Sequence, residues 1–411
     1  GVFTDDPAAM RRLLSRRTPS KAAGGTLSLG IDQGSGGTRA VLIDGHGAIV
    51  AAHATRVASR RDKLGAIVQD AEAIAASVAR AAGPLVREAA RRVTTAGLAV
   101  QRSSLVVWRA ADARPVTPVI SWRSGAPETL QMSLAPHEAA IHRSTGLTAR
   151  YPYGAIRLAA LCAESPEIAG GLREGRLVAG PLGAFLVARL SDEGSSPCDP
   201  SLAQRTLAYD VIHGGFTEQL AGWLGLDSAF WPGVSPSAGP RGRLRLGRSH
   251  VPLRALLGDV GAAARAILGD VANADDGALV LGTGGFVVVP TGRTPRYVDG
   301  LLTTLLYEDV DGPVYAVEGT VHGLVASIVE AGHRGGWEEL APERIAARSA
   351  AAARSPRVDA AIEGTGTPDW DLRHRFEVEA GDFSPEEIVR GTIDDLAARF
   401  SRVAELLRAA N

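Results

Sequence analysis

The stretch Gly30-Ile31-Asp32-Gln33-Gly34-Ser35-Gly36-Gly37-Thr38-Arg39 lies between two apolar runs, Leu27 to Ile31 and Ala40 to Ile43. Each run is bounded by turn-forming residues, which predicts two β-strands joined by a glycine-rich turn. Glycine permits a tight turn and lets bare backbone N–H groups approach a ligand closely. Asp32 falls where the first strand ends. The stretch therefore predicts a hairpin with a carboxylate beside an anion-binding turn.

The polar residues of this hairpin predict a site for a metal-bound phosphate chain. We expect Asp32 to face the metal and the backbone amides to face the phosphate oxygens. The residues assigned to the phosphates are Gly34, Ser35, Thr38 and Arg39. The stretch is neither a Walker A loop nor a dinucleotide fingerprint, because no Gly-Lys-Ser/Thr follows and the turn leads into a strand. A glycine-rich hairpin without a chemical role remains the alternative.

The composition of the chain excludes several classes of protein. Its 411 residues are too many for one ordinary core and predict two domains. A hydrophobic content of 45% with 22% charged residues is typical of a soluble globular protein. A net charge of −1 gives no electrostatic case for binding nucleic acid or an anionic membrane. No apolar run approaches the roughly 18 residues of a membrane span.

The cysteines and histidines show no pattern of a metal site or a disulfide framework. The two cysteines, Cys162 and Cys198, are few and isolated, so we expect a cytoplasmic protein. The nine histidines, His322 among them, form no cluster with ligand spacing. We expect them at the surface or hydrogen-bonded in the core.

Composition changes along the chain divide it into segments. Residues 1–25 lack the apolar core of a signal peptide and predict an N-terminal extension with a short helix over Ala8 to Arg16. Residues 235–248 are rich in Pro, Gly, Ser and Arg, and we place a domain boundary there. The expected domains are 26–245 and 246–411. In the first, predicted strands alternate with helical segments, which indicates an α/β fold.

The second domain repeats the glycine hairpin of the first. The runs Ala278 to Leu281 and Phe286 to Val289 predict strands on either side of Gly282-Thr283-Gly284-Gly285. The residues assigned to the phosphates here are Gly282, Thr283 and Gly284. One such turn arises easily by chance, whereas two in corresponding places suggest duplicated domains that each bind a phosphate chain.

Several further motifs stand in a fixed order along the chain. They are Gln101-Arg102 with Val106-Val107-Trp108, Asp199-Pro200-Ser201 with Arg205-Thr206-Leu207, Gly258-Asp259, Tyr315-Ala316-Val317-Glu318-Gly319 and Gly364-Thr365-Gly366-Thr367-Pro368-Asp369-Trp370-Asp371. Together with the two hairpins, they resemble the FGGY carbohydrate kinases, the sugar and polyol kinases of the actin-like ATPase superfamily. The resemblance covers about Leu27 to Asn411.

The resemblance implies an α/β fold of two actin-like ATPase (ribonuclease H-like) domains with a cleft between them. It implies ATP and Mg²⁺ as cofactors, with Asp32 at the metal, and a small polyol or sugar as the substrate that accepts the phosphate. It leaves a homodimer open. Closure of the domains would exclude water, which otherwise competes as the acceptor.

The resemblance sets Gly258-Asp259 in the context of the family's catalytic Asp, so we assign Asp259 as the base that in-line phosphoryl transfer needs near the acceptor hydroxyl. An ordinary aspartate at the start of a helix over Ala262 to Leu268 is the alternative. Arg102 offers donors to hydroxyls, and Trp122 and Tyr153 offer flat faces, although Trp122 also fits an ordinary core position. The residues assigned to the acceptor are Gln101, Arg102, Trp122, Tyr153 and Asp259.

Three departures from the family pattern fall on the acceptor side. In the glycerol-kinase-like branch a Glu follows the Gln-Arg pair, but this chain has Ser103, which makes glycerol itself doubtful. An Asp- and Arg-containing stretch after the tryptophan is replaced by Ser121-Trp122-Arg123-Ser124-Gly125-Ala126. The Gln that commonly follows the catalytic Asp is Val260. Because the phosphate-side residues are retained, a different acceptor explains the changes better than general decay.

The last segment predicts a long amphipathic helix. Ser384-Pro385-Glu386-Glu387 is a capping box. The apolar residues that follow share one helical face: Val389, Ile393, Leu396, Phe400, Val403 and Leu407. We expect this stripe to need a sheet that the chain, ending at Asn411, does not supply, so the second domain looks truncated. The family places its adenine-binding segment next.

Three functions remain open from the sequence. The first is an ATP-dependent kinase acting on a small polyol or ketose. The second is a catalytically degenerate homologue that binds a sugar or a protein partner without phosphoryl transfer, which the altered acceptor residues favour. The third, an actin- or chaperone-like ATPase, is disfavoured because such proteins need no hydroxyl acceptor site. The retained Asp32, Thr283 and Asp259 favour the kinase.

Overall fold

The computed structural model describes residues 25–63, 65–192, 197–269, 276–337 and 342–409. The chain forms two compact units. One consists of residues 1–266, 293–295 and 304–315, and the other of residues 267–292, 296–303 and 316–411. The short helix predicted over Ala8 to Arg16 lies outside the described residues. Within those residues, no helix is both long and apolar enough to cross a membrane.

The strands are β1 Leu27–Gly34, β2 Gly37–Ile43, β3 Ile49–Arg56, β4 Ser59–Arg61, β5 Ile67–Gln69, β6 Val93–Val100, β7 Leu105–Arg109, β8 Val119–Ile120, β9 Leu177–Pro181, β10 Tyr209–Asp210, β11 Gly215–Phe216, β12 Arg243–Leu246, β13 Ser249–Gly258, β14 Ala278–Leu281, β15 Gly285–Gly292, β16 Leu302–Asp309, β17 Gly312–Val321, β18 Val358–Asp359 and β19 Glu377–Val378. The α-helices are α1 Ala71–Ala89, α2 Glu128–Leu134, α3 Glu138–Thr145, α4 Gly154–Glu164, α5 Pro166–Arg173, α6 Leu182–Leu190, α7 Pro200–Gln204, α8 Glu218–Gly222, α9 Asp259–Leu268, α10 Leu324–Arg334, α11 Pro342–Ala350 and α12 Pro385–Ala409. Short 3₁₀ turns occur at Ala90–Arg92, Ala135–His137 and Ser228–Phe230.

A six-stranded sheet in the order β12-β13-β6-β1-β2-β3 forms the centre of the first unit. β1 and β2 pair antiparallel and confirm the predicted glycine hairpin, while β6 lies parallel to both β1 and β13. Side chains alternate along β1, so Leu29 and Ile31 are buried in the same core as Ile74 and Val78 of α1. A second sheet has the order β4-β5-β8-β7-β9. The core therefore covers one face of the hairpin and leaves the polar residues of the other face available.

The first unit extends further along the chain than the boundary predicted after residue 245. β13 pairs in parallel with β6, with Leu253 beside Ala96 and Gly258 beside Val100. The proline- and glycine-rich stretch 235–248 contains β12, which pairs with β13 at the edge of the same sheet. Because these hydrogen bonds tie residues 243–258 to the first sheet, the first break between the units comes after Ala266.

Gly261 in α9 packs directly against the backbone. A Cβ at this position would clash with the carbonyl oxygen of Leu306, which cannot move without its strand. We expect Gly261→Ala to lower the free energy of unfolding by about 1–3 kcal/mol, the cost of overpacking a rigid contact. Denaturant unfolding measures the change.

Gly170 in α5 provides the matched control for this prediction. It is also a helical glycine, and a Cβ there would have nothing within 4 Å. We expect Gly170→Ala to raise the free energy of unfolding by about 0.5–1 kcal/mol, because alanine favours the helix. Equal stability changes in the two variants would contradict the proposed contact between Gly261 and Leu306.

The second unit contains the predicted second hairpin. β14 and β15 pair antiparallel, with Leu281 beside Gly285, in a sheet of order β14-β15-β17-β16. Parts of β16 and β17, residues 304–309 and 312–315, belong to the first unit. Two small hairpins, β10 with β11 in the first unit and β18 with β19 in the second, complete the sheets that the described residues form.

The terminal helix α12 begins with the predicted capping box. The Glu387 N–H donates to Ser384 Oγ over 3.3 Å, and the Ser384 N–H donates to Glu387 Oε2 over 3.0 Å. The expectation of an uncovered apolar stripe is wrong, because four of its residues are buried: Val389, Leu396, Val403 and Leu407. Val403 and Leu407 share a core with Leu301 and Val317 of the same unit.

His322, which follows β17, makes the second unit sensitive to acid. Burial, together with the positive charge of Arg399, lowers the pKa of His322 to about 4, although a hydrogen bond to the backbone of Thr365 opposes the shift. Between about pH 6.5 and pH 4, His322 is protonated in the unfolded chain but stays neutral in the folded chain. We expect the free energy of unfolding to fall by roughly 3 kcal/mol from this group between pH 6.5 and pH 4.

The variant His322→Gln tests this acid sensitivity. We expect its stability to depend less on pH over that window than the stability of the parent chain. His333→Gln changes an exposed histidine on α10 of the same unit and serves as the control. If His322→Gln and the parent chain lose stability in parallel on acidification, His322 is not the responsible group.

Candidate functional site

The carboxyl ends of three neighbouring parallel strands bring the predicted polar residues of the first unit together. Asp32 lies in the last part of β1, opposite Ala99 of β6. Gln101 and Arg102 follow β6 directly, and Asp259 follows β13 directly. Because β1, β6 and β13 are parallel neighbours, these ends lie along one sheet edge, which is where open α/β sheets bind ligands.

Asp32 faces a cation across the hairpin and a second carboxylate. It is opposite Arg39 in the register of β1 and β2, and Arg39 Nη1 donates to Asp32 Oδ2 over 3.2 Å. Burial of its carboxyl and, second, the negative charge of Asp259 raise the pKa of Asp32 to about 7. The side chain nevertheless keeps 37% of its surface exposed. The carboxyl is thus accessible, and a bound cation would offset the negative charge of Asp259 and favour the ionised form of Asp32.

Asp259 directly follows β13 and is the first residue of α9. Its Oδ1 lies 3.7 Å from Arg102 Nε and accepts a hydrogen bond from the Val260 N–H over 2.9 Å. The structure thus places Asp259 at the predicted strand end and in the first turn of α9, which begins at Asp259 rather than at Ala262. Gly258 permits this arrangement, since a Cβ there would lie 2.8 Å from Arg102 Cγ.

Gln101 belongs to a buried amide network that the sequence analysis missed. Its Nε2 donates to Gln33 Oε1 over 3.1 Å and to Gln69 Oε1 over 3.2 Å. Its Oε1 accepts from Ser104 Oγ over 3.2 Å and from Ser35 Oγ over 3.4 Å. Gln101 is only 2% exposed. Its polar atoms hold the turn after β6 in place, and no sequence spacing links the three glutamines.

The hydroxyl of Ser35 is directed toward the acceptor segment. It accepts a hydrogen bond from Trp122 Nε1 over 2.8 Å. Trp122 is half-buried, whereas Tyr153 is 2% exposed and packs edge-on against Tyr151 with ring centroids 4.9 Å apart. Of the two predicted aromatic faces, Trp122 is the more accessible.

Thr38 is the predicted phosphate residue whose side chain the structure places elsewhere. It is 1% exposed, and its Oγ1 lies 2.6 Å from Ser77 Oγ of α1. The cause is strand alternation, because Thr38, Ala40 and Leu42 point to the core face of β2, opposite to Arg39. The assignment of the Thr38 side chain to phosphate is therefore corrected. Gly34 lies at the end of β1 opposite Gly37, inside the turn.

The glycine turn of the second unit has its own tight geometry. The Gly282 N–H donates to the carbonyl of Gly284 over 2.9 Å. Thr283, between them, is half-buried. A Cβ on Gly284 would lie 3.4 Å from the carbonyl oxygen of Val321, so the turn approaches β17 closely. The turn thus presents Thr283 at the end of the predicted hairpin.

The donor set of the first unit fits Mg²⁺ better than a transition metal. Among the residues that the structure describes, no group of three His, Cys, Asp or Glu could hold a metal ion. Mg²⁺ needs no such cage, because it is commonly bound by one or two carboxylates, water and substrate phosphates. Asp32, with a second carboxylate close enough to affect its pKa, supplies that chemistry.

Comparison with known proteins places these features in context. The sequence profile of the N-terminal domain of the FGGY family of carbohydrate kinases matches residues 27–264. A glycerol kinase of Thermus brockianus is 30% identical over 354 residues, covering 84% of this chain and 70% of that protein. An apulose kinase of Pectobacterium atrosepticum is 27% identical over 356 residues, covering 84% and 71%.

Solved structures agree with the sequence comparison. The crystal structure of Plasmodium falciparum glycerol kinase with ADP superposes with a TM-score of 0.80 at 19% identity, covering 95% of this chain and 80% of that chain. A ligand-bound xylulose kinase from Lactobacillus acidophilus gives 0.75 at 17% identity, covering 93% and 78%. The likeness confirms the predicted α/β fold of actin-like ATPase domains.

Proposed function

Because this chain belongs to the FGGY family of carbohydrate kinases, we propose that it transfers the γ-phosphate of ATP to a hydroxyl of a small polyol or ketose. One observation supports the proposal most strongly. Asp32, Arg102 and Asp259 lie along one sheet edge, at the ends of β1, β6 and β13. In this proposal the Asp32 carboxylate binds the metal, the Arg102 guanidinium donates hydrogen bonds to the acceptor hydroxyls, and the Asp259 carboxylate accepts the proton.

Asp259 acts as the general base in this proposal. Its carboxylate accepts the proton of the acceptor hydroxyl as the hydroxyl oxygen attacks the γ-phosphorus and the bond to ADP breaks. Arg102 Nε, 3.7 Å from Asp259 Oδ1, forms an ion pair that keeps the carboxylate charged. The carboxylate and the guanidinium thus define where the reacting hydroxyl is held.

Asp32 would hold Mg²⁺, directly or through water. When bound there, the metal would neutralise the charge that develops on the phosphate oxygens. On the first unit, Arg39 and the turn residues Gly34 and Ser35 contact the phosphates. In the second unit, taken by itself, the turn Gly282-Thr283-Gly284 is a candidate phosphate-binding turn, with the Thr283 hydroxyl as its side-chain donor.

The acceptor side favours a substrate other than glycerol. Ser103 stands where the glycerol-kinase-like pattern has Glu, so one charged acceptor of hydroxyl hydrogen bonds is missing. Trp122, half-buried beside Ser35, offers an apolar face for the carbon side of a sugar or polyol. Gln101 positions the turn through its amide network rather than binding the acceptor itself. A ketose or a small polyol other than glycerol suits these residues.

The experiment that tests the proposed function is ADP release from Mg–ATP against a panel of polyols and ketoses. We expect one or more members of the panel to raise the rate well above the rate with water alone. If no member raises the rate while calorimetry still detects sugar binding, the chain is the non-catalytic binder that the altered acceptor residues also permit.

A further inference from the structure

Arg157 in α4 is a buried cation that lies outside the sheet edge formed by β1, β6 and β13. It is 2% exposed and, besides a hydrogen bond with the Tyr151 side chain, donates four hydrogen bonds to backbone carbonyl oxygens. Nη1 reaches Ser103 over 2.8 Å, and Nη2 reaches Trp122 over 2.6 Å. Nε and Nη2 both reach Ser124, over 3.1 and 2.7 Å. One planar guanidinium therefore binds two separate stretches of the chain.

These two stretches carry two of the residues assigned to the acceptor, Arg102 on one and Trp122 on the other. Ser103 directly follows Arg102 in the turn after β6, and Trp122 and Ser124 lie in the segment after β8. Ser103 adopts a left-handed conformation, with φ of 61°, which is unusual for a residue other than glycine. Strained backbone of this kind persists where surrounding contacts determine it, and it concentrates at functional sites. The bond from Arg157 to the Ser103 carbonyl is such a contact.

The surroundings of Arg157 reinforce this connection. Tyr151 donates its hydroxyl hydrogen to the carbonyl of Trp122, the same oxygen that Arg157 binds. The guanidinium carbon lies 5.8 Å from the centre of the Tyr151 ring. A fork of fixed donors holds several acceptors at set positions, which a flexible ammonium group does not do. The guanidinium thus fixes the Ser103 and Trp122 carbonyls relative to each other.

We infer that Arg157 is a positioning residue for the acceptor, setting the spacing between Arg102 on one stretch and Trp122 on the other. The inference rests on the proposed kinase function, since it concerns the binding of the same acceptor. Arg157 acts through the two stretches and does not itself touch the substrate. Loss of its fork lets Ser103 relax, shifts Arg102 and weakens acceptor binding more than nucleotide binding.

The variant Arg157→Lys keeps the charge and removes the fork. We expect the KM for the acceptor to rise about tenfold or more, because Arg102 and Trp122 would no longer be held at the spacing that binds the acceptor. The KM for ATP should change by less than about twofold, since the hairpin of β1 and β2 is not bound by Arg157. A KM for the acceptor equal to that of the parent enzyme would overturn the inference.

Arg241→Lys is the matched control. Arg241 is likewise buried, at 5% exposure, and donates to the carbonyls of Pro197, Ser235 and Pro236. Neither acceptor stretch is among these partners. We expect a similar loss of thermal stability in both variants but a changed acceptor KM only in Arg157→Lys. A KM rise in both variants would mean that general loosening, not positioning, is responsible.

Hydrogen exchange of the intact chain tests the inference without enzyme activity. We expect faster amide exchange in Arg157→Lys over residues 101–104 and 121–124, with the helix α1 unchanged. If the parent chain shows no acceptor-dependent turnover but these two segments exchange faster, the kinase function fails and the positioning contact stands. Uniform acceleration across the first unit, or none, would contradict the positioning role.

Discussion

Asp259→Asn lowers kcat/KM for the acceptor by roughly 10²–10⁴-fold, the contribution expected of a positioned general base. The amide keeps the size of the side chain and can still accept the Val260 N–H, so α9 begins as before. It cannot take a proton from the attacking hydroxyl. Affinity for Mg–ATP should stay within about twofold, because the base contributes to the chemical step rather than to nucleotide binding.

The control for this variant is Asp227→Asn. Asp227 Oδ1 accepts the Ala229 N–H over 2.7 Å at the start of a short 3₁₀ turn, a local role like that of Asp259 in α9. Asparagine serves equally well at such a position, so both stability and turnover should be unchanged. Asp259→Asn with most of the parental turnover would remove Asp259 from the mechanism and return it to a helix-start residue.

Asp32→Ala is expected to have the second largest effect. Removing the carboxylate that holds Mg²⁺ should lower kcat/KM by about 10²–10³-fold, comparable to the loss of one transition-state electrostatic contact. The affinity for ATP should lose its dependence on Mg²⁺, because the remaining hairpin groups, Arg39 and the backbone amides, bind phosphate without metal. Steady-state ADP release measures kcat/KM, and calorimetric titration with ATP in the presence and absence of Mg²⁺ measures the affinity.

Asp44→Asn is a control in the same hairpin, at the end of the sheet opposite to Asp32. Asp44 directly follows the second strand of the hairpin, and its Oδ1 accepts hydrogen bonds from the N–H groups of His46 and Ala48 over 2.9 and 3.0 Å. We expect a small change in stability and no change in Mg²⁺-dependent affinity. An Asp32→Ala variant whose ATP affinity still rises with Mg²⁺ as in the parent would exclude Asp32 as the metal residue.

The fold was largely predictable from local patterns. The hairpin at residues 27–43 combines apolar alternation with glycine at the turn, and both signals lie within a few residues of each other. The same holds for the second hairpin and for the capping box before α12. Asp259 was found at the end of β13 because an apolar run and a glycine precede it. Such features depend on sequence neighbours alone.

The remaining features depend on partners far away in the sequence. The placement of β13 in the first sheet follows from pairing with β6, about 150 residues earlier, which no local pattern reports. The contacts of Arg157 cross 33 to 54 residues. Thr38 was misassigned for a different reason. The motif counts it among the polar turn residues, whereas strand alternation directs its side chain into the core.

The most direct test of the account follows the γ-phosphate of ATP itself. Phosphorus NMR of the chain with Mg–ATP and the preferred acceptor from the panel should show a new phosphomonoester that grows in step with ADP. Asp259→Asn under the same conditions should show neither. Release of inorganic phosphate alone would contradict the account, because ATP would then be hydrolysed by water and the sheet edge formed by β1, β6 and β13 would not be a kinase acceptor site.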